Sequence, residues 1–292
     1  MTDPFVIETT DLRKSYDGVG AGFFALTFIV TWTFFIASVA LSGRVSSGAS
    51  LGPGLGALVL LGTIAPSLVA LALTARAEGD AGVRALLGRI FRWRVGARWY
   101  VFAVGYMAAI KLTVAVVHRL ATGTWPRFGN EAWYTIVAVL VISTWVQAGE
   151  EVGWRGYALP RLAARFGLGP ASVVLGVIWA IWHLPLFYLH GADTYGQSFT
   201  TYLLQVTALS VAMTWLYWHT RGSLLLVMLM HAAINNTKDI VPTVPRAPGN
   251  PLWPSATLTS WLGVAVLWMV AAYFLVRMRK ADAARLANSN QD

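Results

Sequence analysis

The sequence predicts an all-α integral membrane protein of about eight transmembrane helices. Two observations carry that prediction. The 292 residues are 57% hydrophobic and only 12% charged, with a mean hydropathy of +0.59, whereas a soluble globular domain carries about 25% charged residues. The apolar residues also gather into runs of about 20, the length that crosses a hydrocarbon core roughly 30 Å thick.

The runs lie near 21–41, 55–75, 99–118, 132–152, 171–190, 199–218, 222–241 and 257–277. The third carries Lys111, and the fourth, fifth and seventh carry the other polar residues of interest. No period repeats along the chain, so 21–280 reads as one transmembrane domain. Residues 1–20 read as a polar, unstructured tail and 281–292 as a cytoplasmic one. The leader MTDPFVIETTDLRKSYDGVG resembles the opening of an ABC-transporter ATPase, with Tyr16 as the aromatic that would stack on adenine. That likeness raises a link to an ABC transporter, but no G-x-x-x-x-G-K-[ST] loop follows to cradle phosphates. SVALSG at 38–43 offers a small-residue cleavage site. The residues before that run carry no net positive charge, and the run itself is long, so the first span reads as retained.

The net charge is +9. In a soluble chain this would suggest nucleic acid; here basic loops orient the protein and touch anionic headgroups, and no nucleic-acid partner is expected. Arg76, Arg84, Arg89, Arg92, Arg94 and Arg98 share one loop. Arg155, Arg161 and Arg165 follow the fourth run, and Arg277, Arg279, Lys280 and Arg285 close the chain. The alternate loops hold only Arg44, Arg119, Arg127, Lys238 and Arg246. With eight spans the basic segments and both termini fall on one side, the cytoplasmic side of the cell (inner) membrane. RALLGRIFRWRVGAR, 84–98, reads as a basic amphipathic segment lying on that leaflet. There are no cysteines, hence no disulfide, thiolate metal site or cysteine nucleophile.

A charge inside the bilayer costs about 2.5–3.5 kcal/mol on insertion scales, so it needs a partner or a cavity and marks a candidate site. Three clusters qualify. In QAGEEVGWRG, Glu151 and Arg155 are i and i+4 and can pair, acid on the N-terminal side. Glu150 lies about 100° away around the helix and is left as a spare carboxylate, suited to general-base work. An ordinary ion pair at a helix end would look the same. In WAIWHLPLF, His183 lies deep in an apolar helix, with Pro185 breaking the helix two residues on. In MHAAINN, His231 and Asn235 share a helix face and could both donate to one bound oxygen, or could serve as interhelical glue. His118, His190 and His219 sit near helix ends and read as interfacial. If the three helices pack together, Glu150 and His183 would deprotonate a water, and His231 with Asn235 would stabilise an oxyanion.

This pattern resembles the CAAX-protease and bacteriocin-processing (CPBP or Abi) family of intramembrane proteases. The E-E-x-x-x-R motif stands here as EEVGWR (150–155), the F-x-x-x-H motif as WAIWH (179–183) and the H-x-x-x-N motif as HAAIN (231–235). The resemblance implies an eight-helix bundle like that of the CAAX prenyl endopeptidase, open toward the cytoplasm, and an endopeptidase acting on a membrane-associated peptide or lipidated protein. It implies Glu150 and His183 as the water activators, His231 and Asn235 as the oxyanion hole, and Glu151 and Arg155 as support. Trp179 replaces the commoner Phe and is expected only to shape the pocket, so that Trp179→Phe would keep activity. No cofactor is expected. Zinc is the alternative, with Glu150, His183 and His231 as ligands and water fourth, but there is no H-E-x-x-H helix. A non-catalytic immunity or scaffold protein, and an enzyme acting on an isoprenoid or other lipid in the same pocket, are the competing functions.

Overall fold

The computed structural model describes residues 9–42, 51–129, 132–237 and 256–289. Among them every regular element is helical: α1 (Thr9–Ser42), α2 (Pro53–Gly88), α3 (Ala97–Thr122), α4 (Trp133–Val146), α5 (Ala148–Glu151), α6 (Leu159–Phe166), α7 (Leu168–Trp182), α8 (Phe199–His219), α9 (Leu224–Asn236) and α10 (Leu258–Ser289), with short 3-10 turns after α2 and α7. A π-helical segment, Val152–Ala158, joins α5 to α6, so α4 through α6 form one interrupted rod. With that rod counted as one, the described residues make eight helices, seven of them long and apolar enough to cross a membrane. The protein is an integral membrane protein.

The eighth expected span differs. The run at 222–241 yields α9, only 13 residues long, about 20 Å at 1.5 Å per residue and short of a bilayer core. The reason lies in what surrounds it. Leu224, Leu226, Val227, Met228, Met230 and Ala232 are all fully buried, because α9 packs against α3, α4 and α8. Its apolar residues therefore face protein, whereas Val137, Val139, Val141, Ile142 and Val146 of α4 are exposed in the manner of a lipid-facing surface. Lys238 and Arg246 lie outside the described residues, as do Arg44 and the first eight residues of the leader.

Helix α1 starts at Thr9, within the leader expected to be unstructured; the side chain of Tyr16 is outside what is described. Helix α10 likewise continues to Ser289, into the segment read as a tail. Gly79, at φ +62°, interrupts α2 and turns the chain into the basic segment, a conformation that glycine adopts without a Cβ penalty. Beyond it Phe91 and Trp93 are exposed beside Arg92 and Arg94, while Arg92 is anchored by donating to the Arg221 carbonyl.

Candidate active site

The interrupted rod is shaped by α2. Gly153 lies so close to α2 that an added Cβ would sit 2.5 Å from the carbonyl carbon of Pro66. Next to it the Ser67 hydroxyl donates to the Ala148 carbonyl (2.7 Å) and accepts from the Gly153 N–H (3.2 Å). One side chain thus spans the backbone on either side of Glu150 and Glu151. The π geometry follows directly: the Leu159 N–H reaches back five residues to the Trp154 carbonyl, and Arg89 donates to the Gly156 carbonyl and to the Tyr217 hydroxyl. π turns loosen a helix locally and are frequent at functional sites.

Both carboxylates are buried. Arg155 donates to the two oxygens of Glu151 at 2.8 and 3.1 Å, the pairing that the i, i+4 spacing predicts. Glu151 has a second partner that spacing alone did not reveal: its Oε1 accepts from His231 Nδ1 at 2.7 Å. Beside a carboxylate held by arginine, that nitrogen carries its proton. The His231 Nε2 is therefore the atom left for other work.

Helix α7 ends where Pro185 forbids its continuation. The freed carbonyls find ring donors. Trp32 Nε1 donates to the Trp182 carbonyl at 3.1 Å, and His183 Nδ1 donates to the Trp179 carbonyl at 2.8 Å. A carbonyl only accepts, so His183 is fixed with its proton on Nδ1 and a lone pair on Nε2. His183 is half-buried, stacked edge-on with Tyr202 (5.6 Å), and within electrostatic reach of Glu150 and His231.

Trp179 does more than shape a pocket. Its indole N–H donates to Glu150 Oε2 at 2.8 Å, a bond that a phenylalanine could not make. Asn235 sits one turn beyond His231 on α9 and is exposed, with no hydrogen-bond partner among the described residues. Its neighbour Asn236 is tied to the Ser143 hydroxyl and the Ala232 carbonyl. His118, His190 and His219 lie at helix or loop ends and bond locally, to Thr124, Tyr195 and Trp215.

The structure thus brings Glu150, Glu151, Arg155, Trp179, His183 and His231 into one cluster from three parts of the chain. Ser67 and Tyr202 went unnoticed in the sequence, because lone polar residues on apolar helices carry no spacing signal, and Arg89 was read only as one of the basic-loop cations. Zinc needs its donors converged about 2 Å from one point. Among the described residues no group of three or more His, Asp or Glu side chains is arranged to hold a metal. The zinc reading with Glu150, His183 and His231 as ligands, and the metalloprotease label that goes with it, find no support.

Residues 131–237 match the family model described as type II CAAX prenyl endopeptidase, Rce1-like. That segment of the chain is similar to the Rce1-like endopeptidases. The Rce1-like family is one of proteases, and every residue of the cluster lies inside the matched segment. A curated relative, CAAX prenyl protease 2 of Methanococcus maripaludis, is 24% identical over 231 residues, spanning 75% of this chain and 83% of its own length. The Rce1-like segment runs from the start of α4 to the end of α9. Its outer supports, Ser67 on α2 and Trp32 on α1, come from helices beyond it.

Proposed function

We propose that this protein is an intramembrane endopeptidase that cleaves a peptide bond in a prenylated, CAAX-type C-terminal segment, with Glu150 as the base. The observation that carries the reading is the unequal engagement of two adjacent carboxylates. Glu151 is consumed by Arg155 and His231, whereas Glu150 has one oxygen held by Trp179 and the other open. A water between that open oxygen and His183 Nε2 would lose its proton to Glu150 as it attacks the scissile carbonyl. Glu150 would then pass the proton to the leaving amine. His231, its Nδ1–H held by Glu151, would donate through a protonated Nε2 to the developing oxyanion, and Asn235 would add an amide donor from the next turn. Glu151 and Arg155 support that geometry without touching the substrate.

Exposed apolar flanks suit a substrate that keeps its isoprenoid in lipid while the peptide enters the bundle. The basic segment 76–98, with Arg161 and Arg165, supports a cytoplasmic placement of that face; Arg277, Arg279 and Lys280 would share it only with α9 as an eighth crossing, carried through by the helices packed around it. The test is the protein in lipid nanodiscs with a farnesylated CAAX-type peptide and its unprenylated twin, fragments being read by mass spectrometry. Cleavage of the farnesylated peptide alone, lost in Glu150→Gln, is expected. Equal cleavage of both peptides would remove the prenyl requirement, and turnover by Glu150→Gln would remove the base.

A further inference from the structure

Trp179 meets four polar groups of the site. Its N–H holds Glu150, and the Arg155 guanidinium lies over its ring, with Cζ 4.3 Å from the centroid. His231 stands edge-on to it at 5.1 Å and 84°, and its carbonyl takes the His183 proton. The ring is buried, 3% exposed. Arg155 therefore sits on the face of the indole while Glu150 sits at its N–H edge.

That placement solves an electrostatic problem. Glu150 lies within electrostatic reach of Arg155, already the partner of Glu151. The terminal torsion of a glutamate is broad, and an untethered carboxylate in a dry interior turns toward the nearest cation. We propose that Trp179 is a positioning residue for the reaction: its ring separates Glu150 from Arg155, and its N–H pins one carboxylate oxygen so that the other faces the attacking water. The proposal rests on the reading of Glu150 as the base. It departs from the expectation that any aromatic would serve at this position, because phenylalanine keeps the separator and loses the pin.

The test uses the full-length protein in nanodiscs and a fluorogenic farnesylated CAAX-type peptide. Trp179 is replaced by Phe and, by nonsense suppression, by 3-benzothienylalanine, in which sulfur takes the place of the N–H and the ring shape is kept. Loss of a hydrogen bond to a charged group should lower kcat about 10- to 100-fold in both variants. KM should stay within about twofold, as befits an interaction made for the chemical step, and the benzothienyl form should melt like the wild type. A wild-type kcat in the benzothienyl form overturns the proposal, as does a raised KM with kcat unchanged, which would make Trp179 a substrate contact. Glu150→Gln is measured alongside. If it is inert while the benzothienyl form is fully active, only the pin fails and the base stands; if Glu150→Gln turns over, both fail.

Discussion

Glu150 and Glu151 are adjacent in the chain and both buried, 5% and 0% exposed, yet their surroundings divide them. Glu151 is enclosed by the guanidinium of Arg155 and the imidazole of His231. Glu150 has a single neutral donor, the Trp179 indole. A carboxylate saturated by charge-assisted bonds is a fixture; one held by a single bond from a neutral donor keeps an oxygen for chemistry. One residue of rotation along a helix, about 100°, is enough to separate the two roles.

The largest expected effect tests the open side. Glu150→Gln keeps the shape and can still meet the Trp179 N–H through its amide oxygen, but it cannot take a proton. Turnover should fall about 10²- to 10⁴-fold, while the melting temperature in detergent stays near that of the wild type. A large stability loss would show Glu150 to be a fixture as well and erase the contrast.

The closed side should respond in the opposite way. Glu151→Gln leaves Arg155 as a buried, uncompensated cation, and breaking a buried pair costs about 3–5 kcal/mol. Denaturant or thermal unfolding should show that loss before any assay is run. The double variant Glu151→Gln, Arg155→Met removes that stranded cation and should recover part of the stability. It should not recover activity, because His231 loses the carboxylate that fixes its proton. Full activity in the double variant would mean that Glu151 only neutralises Arg155.

How much of this was legible in the sequence depends on distance along the chain. The Glu151–Arg155 pair spans one turn and was readable from spacing; so was the separation of Glu150 from it. Trp179 to Glu150 is a separation of 29 residues and His231 to Glu151 one of 80, and no periodicity encodes a contact that depends on how helices pack. Motif resemblance named residues that, Asn235 aside, the fold gathers into one cluster, but it read Trp179 as bulk, since the indole N–H matters only once its partner is known. The shortness of α9 was hidden for another reason. An apolar run looks the same whether lipid or protein covers it, and only the packing of α3, α4 and α8 around this one decides the case. The π segment left only Gly153 and Gly156 as traces, neither diagnostic alone.

The backbone that carries both glutamates offers a gentler probe. Gly153→Ala places a methyl group 2.5 Å from Pro66 backbone atoms, which cannot yield as a flexible side chain would. Overpacking of this kind costs about 1–3 kcal/mol. The rod should be pushed away from α2 and both glutamates displaced together. Stability and turnover should therefore fall in step, unlike the split between the Glu150 and Glu151 variants.

The smallest stability effect is expected at Ser67. Its hydroxyl bonds to Ala148 and Gly153, on the two sides of the glutamate pair, and interhelical bonds of this kind inside membranes average about 0.6 kcal/mol. Ser67→Ala should thus barely move the melting temperature. Its effect on turnover should be larger than that figure suggests, because the Gly153 N–H loses its acceptor next to the turn that aims Glu150, and a displacement of about 1 Å in a catalytic group can cost about 10²-fold. The enclosed Glu151, held by three bonds of its own, should tolerate the same loosening. Ser67→Ala with unchanged kcat would show that the Trp179 bond alone fixes Glu150; a fall in kcat at constant stability would show that the open carboxylate depends on its backbone in a way the closed one does not.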